Sequence, residues 1–114
     1  MITQTVSLAL TIITESIGMV IFSLTVKSLR KQIPANLAVV ALVNLATHTI
    51  FWYTFPLIGG EFLFKIYFFE SIIVLVEGFA YHLLCRMRLG TALLASFLLN
   101  CLSFYAGYIW HLLF

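Results

Sequence analysis

The chain has 114 residues, room for one domain, residues 1–114. Hydrophobic residues make up 63% of it and charged residues 9%, against roughly 45–50% and about 25% in a water-soluble domain. Such a composition cannot maintain a water-facing surface. Its net charge of +2 is too small for a nucleic-acid footprint, so the expected partner is the lipid bilayer and no nucleic acid is expected.

Four apolar stretches have the roughly 20 residues needed to cross a hydrocarbon layer of about 30 Å. The first covers residues 6–26 and ends at Lys27, Arg30 and Lys31. No basic residue precedes it and no A-x-A-like site follows, so it reads as a retained span rather than a signal peptide. The second covers residues 35–57, with Pro34 at its start, where a missing N–H costs little. Gly59-Gly60 marks a turn, and the third span follows at residues 62–84. Cys85-Arg86-Met87-Arg88 separates it from the fourth, residues 89–112. The expected fold is therefore an all-α membrane protein, a four-transmembrane-helix bundle.

Five cations lie in the turns 27–31 and 86–88, while the opposite face holds only Lys65, near Glu61. The positive-inside rule places both basic turns in the cytoplasm and both termini outside, in the plasma (inner) membrane. Trp52, Tyr53, Tyr67, Tyr108 and Trp110 are placed to form an aromatic belt at the outer face. Cys85 and Cys101 fall at different depths, too far apart to bridge, and read as two buried thiols.

The halves 1–57 and 58–114 resemble each other, which points to a tandem duplication of a two-helix hairpin. Glu15-Ser16-Ile17 in the first span matches Glu70-Ser71-Ile72 in the third, at an offset of 55 residues. Asn44 and Thr47 match Asn100 and Ser103 at an offset of 56. The two halves would be related by a pseudo-two-fold axis along the membrane normal, a parallel repeat of a kind found among transporters.

Polar residues then group by helical spacing into one stripe per span. These are Thr11, Glu15, Gly18 and Thr25 on the first, and Asn44, Thr47, Phe51 and Thr54 on the second. Glu70, Val74, Glu77 and Tyr81 line the third, and Ser96, Asn100, Ser103 and Gly107 the fourth. The stripes should face one another and leave the Leu-, Ile-, Val- and Phe-rich remainder to lipid. Three ionised acids at membrane depth, each alone, would cost on the order of 8–10 kcal/mol. A neutral Glu–Asn pair is tolerable there; an unpaired carboxylate facing lipid is not.

Two roles fit these residues. Glu15, Glu70, Asn44 and Asn100 either act as hydrogen-bonding glue, with Glu77 paired to Tyr81 or to another helix, or line a path for a cation, proton or cationic solute. Three Glu with no basic residue at equal depth favour the path. Glu15, Glu70 and Glu77 would bind the cation, and Asn44, Asn100, Thr47 and Ser103 would orient it. Four helices are few for a complete pathway, so a homo-oligomer or partner membrane subunits are expected. The alternative is a non-catalytic accessory or assembly subunit of a larger membrane complex.

Enzyme chemistry lacks its parts. The chain has no Asp, no H-E-x-x-H and no G-x-S-x-G. His48, one turn after Asn44, is the one candidate ligand for a pigment or haem, and no cofactor is expected. Four spans in this length, with Glu15-Ser16-Ile17-Gly18 in the first, resemble the small multidrug resistance transporters. The resemblance implies that Glu15 is shared between proton and cationic drug. It stops at the third span, where that family's Trp- and Gly-containing segment is absent and Glu70 and Glu77 stand instead. It also departs from the family in its strong charge bias.

Overall fold

The computed structural model describes residues 3–114. Four α-helices follow one another in it: α1 (Gln4–Thr25), α2 (Ile33–Thr54), α3 (Phe62–Leu84) and α4 (Leu89–Leu113). Two 3₁₀ segments, Lys27–Gln32 and Phe55–Leu57, flank α2. The expected spans match these helices to within three residues at every boundary. The stretches Gln4–Thr25, Lys27–Leu57 and Leu89–Leu113 are long and apolar enough to cross a membrane. Helix α3 is equally long, at 23 residues, but carries Lys65, Glu70 and Glu77.

Local chemistry sets the helix ends. The Thr3 hydroxyl accepts from the Val6 N–H at 3.2 Å and caps α1. Pro34 sits in the first turn of α2, where its fixed φ fits and its missing N–H is not needed. Helix α2 passes at Phe55, still helical at φ -54 and ψ -47, into the 3₁₀ segment that holds Pro56, whose missing N–H cannot extend the α-helical hydrogen bonding. Gly60, at φ +119, makes the turn into α3 in a conformation that a side chain would strain.

Each helix buries a stripe at steps of four residues. Helix α1 buries Glu15, Met19 and Ser23, and α2 buries Asn36, Val40 and Asn44. Helix α3 buries Glu77 and Tyr81, with Cys85 closing the stripe, and α4 buries Ala92, Ser96 and Asn100. Around this interior the surface is apolar: Leu42 is 67% exposed, Ile50 64% and Leu83 72%. Helix α1 packs on α2 and α4, and α3 packs on α4; α2 and α3 form the loosest adjacent pair.

Two expectations need correction. Thr25 was placed on the inward stripe of α1 but is exposed. It lies two residues past buried Ser23, roughly 200° around the helix at about 100° per residue. Cys101 was read as a buried thiol but is exposed, one residue beyond buried Asn100 on α4; Cys85 is buried, and both are free.

The basic turns close one end of the bundle. Gln32 donates from Nε2 to the carbonyl of Cys85 and to Asn36 Oδ1, and Asn36 donates to Ser23 Oγ at 3.3 Å. His82 Nδ1 lies 2.7 Å from the carbonyl of Met87. Leu29 and Met87 are buried there beside Cys85.

Close helix approach depends on glycine. A Cβ at Gly78 would lie 2.6 Å from Leu93 Cδ2 and 3.3 Å from the Leu93 Cα, so backbone as well as side chain would have to move. Gly78→Val is therefore expected to loosen α3 from α4 at a cost of about 1–3 kcal/mol. Thermal unfolding in mild detergent reads this out as a fall of several degrees in Tm, and an unchanged Tm would contradict the packing. Burial also pushes the Cys85 thiol up to about 11. The folded protein should accordingly protect Cys85 from N-ethylmaleimide until unfolding, as mass spectrometry of timed samples would show. Modification of Cys85 as fast in the folded as in the unfolded protein would mean that the basic end is not closed.

Candidate functional site

Glu15 is fully buried at the middle of α1 and joins three helices. Its Oε1 accepts from Asn44 Nδ2 of α2 at 3.2 Å. Its Oε2 accepts from Ser103 Oγ of α4 at 2.9 Å. Asn44 is held in place by a second bond from Nδ2 to the carbonyl of Val40, at 2.9 Å, one turn back on its own helix.

The other hairpin repeats this geometry around a different acid. Asn100 Nδ2 donates to the carbonyl of Ser96 at 2.8 Å, again one turn back, and reaches Glu77 Oε1 at 3.5 Å. Ser96 in turn ties α4 to α3 by donating to the carbonyl of Val74 at 2.7 Å. The sequence match pairs Glu15 with Glu70. The hydrogen bonds give the corresponding place to Glu77, which is also fully buried. Among the described residues its Oε2 has no hydrogen-bond partner, and neither has the hydroxyl of Tyr81, one turn along.

Glu70 has a different setting. It is half-buried, and it lines two hollows at once. The first is a cavity of about 490 Å³ among all four helices, reached by Thr11, Asn44, Thr47, His48, Glu70, Asn100 and Ser103. Its lining comes from the first half of α1 and α3 and the second half of α2 and α4, so it lies toward the end opposite the basic turns. The second is an almost wholly apolar groove of about 490 Å³ between α3 and α4, where Glu70 and Asn100 meet Tyr67, Phe97 and Tyr105.

The predicted residues therefore divide by depth. Asn44, Thr47, Glu70, Asn100 and Ser103 line the cavity. Glu15 and Glu77 lie behind them, each reached through an Asn that lines it. The Thr47 hydroxyl donates to the carbonyl of Val43 at 2.9 Å, so it offers the cavity its oxygen lone pairs. His48 also lines the cavity: Nε2 lies 2.9 Å from Ser7 Oγ, the ring stacks on Trp52 at 5.8 Å, and Nδ1 has no partner among the described residues. His111 lines the same cavity. Sequence reasoning missed Ser7, Ser23, Gln32 and Asn36; the only signal for Ser23 and Asn36 was their four-residue spacing from Met19 and Val40.

Chemically, the interior offers carboxylate, amide and hydroxyl oxygens and no Lys or Arg. All six Lys and Arg lie in or beside the turns. Among the described residues no group of three or more His, Cys, Asp or Glu is placed to hold a metal ion. No protein-family model matches the sequence, and no curated protein or solved structure is detectably similar to it, so the transporter resemblance remains confined to Glu15-Ser16-Ile17-Gly18.

Proposed function

We propose that the chain is an integral membrane protein of four spans that transports a cation, a proton or a small cationic solute through its polar interior. Glu15, Glu70 and Glu77 would bind the cation, and Asn44, Asn100, Thr47 and Ser103 would orient it. The observation that carries this reading is the pair Glu15 and Glu77, both 0% exposed, with hydrogen bonds only from uncharged Asn and Ser side chains. Glue alone needs no such acids, because Asn and Ser tie helices together without a charge to desolvate. Glu77 argues the point most clearly: its Oε2 contributes no tie between helices, yet it is buried.

Membrane insertion of all four helices is supported by the apolar surface and by a long axis of 41 Å, close to the roughly 40–45 Å of a bilayer with its headgroups. With the basic turns on the cytoplasmic side, both termini lie outside and the cavity opens outward. The matching Glu–Asn pairs of the two hairpins support a tandem repeat, with Glu77 rather than Glu70 as the counterpart of Glu15. Four helices are few for a complete path, so self-association of the chain belongs to the same reading.

The apolar α3–α4 groove favours a second reading, in which another membrane subunit covers it and the chain serves assembly. Purification from native membranes in mild detergent separates the two: a homo-oligomer supports transport, and co-migration with a different integral protein at fixed stoichiometry supports assembly.

The direct test is cation or proton flux into reconstituted vesicles. Glu15→Gln and Glu70→Gln are each expected to reduce flux at least tenfold while leaving helical content and elution volume unchanged. Undiminished flux in both variants would rule out the proposed path.

A further inference from the structure

We infer that the core beneath the cavity is a binding site for one desolvated monovalent metal cation, sodium, held between Glu77 Oε2 and Tyr81 Oη. The inference rests on the proposed use of the cavity as the way in, and it names the ion. Glu77 and Tyr81 are both 0% exposed, and these two oxygens have no hydrogen-bond partner among the described residues. Four residues apart on α3, they project from the same helical face.

Two unpartnered oxygens one helical turn apart in a protein interior call for a ligand, because each leaves a desolvation cost uncompensated. The surrounding charge selects which one. The Glu77 carboxyl group is fully buried, and among the described residues the side chain that donates to it is the neutral Asn100. A hard cation with oxygen ligands answers both the orphaned atoms and the charge. A transition metal is disfavoured, since no group of three His, Cys, Asp or Glu forms among the described residues. Glu77 and Tyr81 are fully buried and line neither hollow, so a ligand between them would be a small ion rather than an organic ammonium. Asn100 connects the two levels: it lines the cavity and donates to Glu77 Oε1. An ion arriving in the cavity is one side chain away from the site.

The experiment is thermal unfolding of the purified full chain in mild detergent, titrating sodium chloride against choline chloride at constant ionic strength. Sodium should raise the midpoint by about 5 °C at saturation, as expected for a ligand that binds only the folded state. Glu77→Gln should abolish that rise. Tyr81→Phe, which keeps the ring and removes one oxygen, should shift the half-saturating sodium concentration upward about tenfold. Should Glu77→Gln fail to fold, Tyr81→Phe and direct binding of radioactive sodium to the unmodified protein decide the matter. No difference between sodium and choline overturns the inference and leaves the two oxygens to a trapped water. A sodium effect retained unchanged in both variants also overturns it, by placing the ion elsewhere. Flux that requires Glu15 with no stabilisation by sodium removes this site but keeps the proposed transport. Stabilisation by sodium without flux keeps the site and removes the transport.

Discussion

The hydrogen bonds from Asn44 and Ser103 to the Glu15 carboxylate are what the rest of the structure depends on. A carboxyl group in an apolar interior is tolerated only when its oxygens are bonded. Here that requirement draws α2 and α4 to α1 at the same level. Ser103 is decisive because it belongs to the second hairpin, so its bond joins the two halves across the molecular centre. The second such tie, from Gln32 to the carbonyl of Cys85, lies at the basic end. Between them the halves are fastened at the middle and at one end, and the cavity occupies the other end.

This arrangement makes the interior polar in an ordered way. The cavity meets water-like chemistry first, in Thr47, His48, Glu70 and Ser103. Asn44 and Asn100 form the next level, each anchored to a carbonyl on its own helix and each reaching toward a buried acid. Glu15 and Glu77 come last, above a plug of Tyr81, Cys85, Leu29 and Met87. On the proposed function, such a gradation would strip a cation of water in steps, replacing each lost oxygen with one from a side chain. On the same proposal the closed basic end would correspond to one state of an alternating cycle, and its short list of ties, Gln32, Asn36 and His82, would be what opening has to break.

The helices were legible in the sequence because long apolar runs punctuated by Pro34, Gly59-Gly60 and clustered Arg and Lys leave little freedom in placing the boundaries. The polar interior was legible in part. Glu15, Asn44, Asn100 and Ser103 stand out because each is costly in apolar surroundings, and they do converge. Glu70 and Glu77 were not separable, because each lies within about 6 Å of the centre of α3 at about 1.5 Å per residue. Only packing against α4 decides that Glu77 meets Asn100 and Glu70 faces the hollows. Ser23 and Asn36 were missed because small polar residues near a span end cost little, and so carry little signal, until another helix packs over them. Thr25 was misplaced because polarity was taken for inward orientation, whereas its hydroxyl is satisfied by the carbonyl of Phe22, on its own helix, at 2.7 Å.

The most direct test of the account is a double-mutant cycle between α1 and α4, measuring unfolding free energy in mild detergent for Glu15→Ala, Ser103→Ala and the double variant. A buried hydrogen bond to a carboxylate predicts a coupling of about 1–2 kcal/mol between the two positions. Additive effects of the two substitutions would mean that Glu15 and Ser103 do not meet, and the convergence of the two hairpins on one buried acid would be wrong.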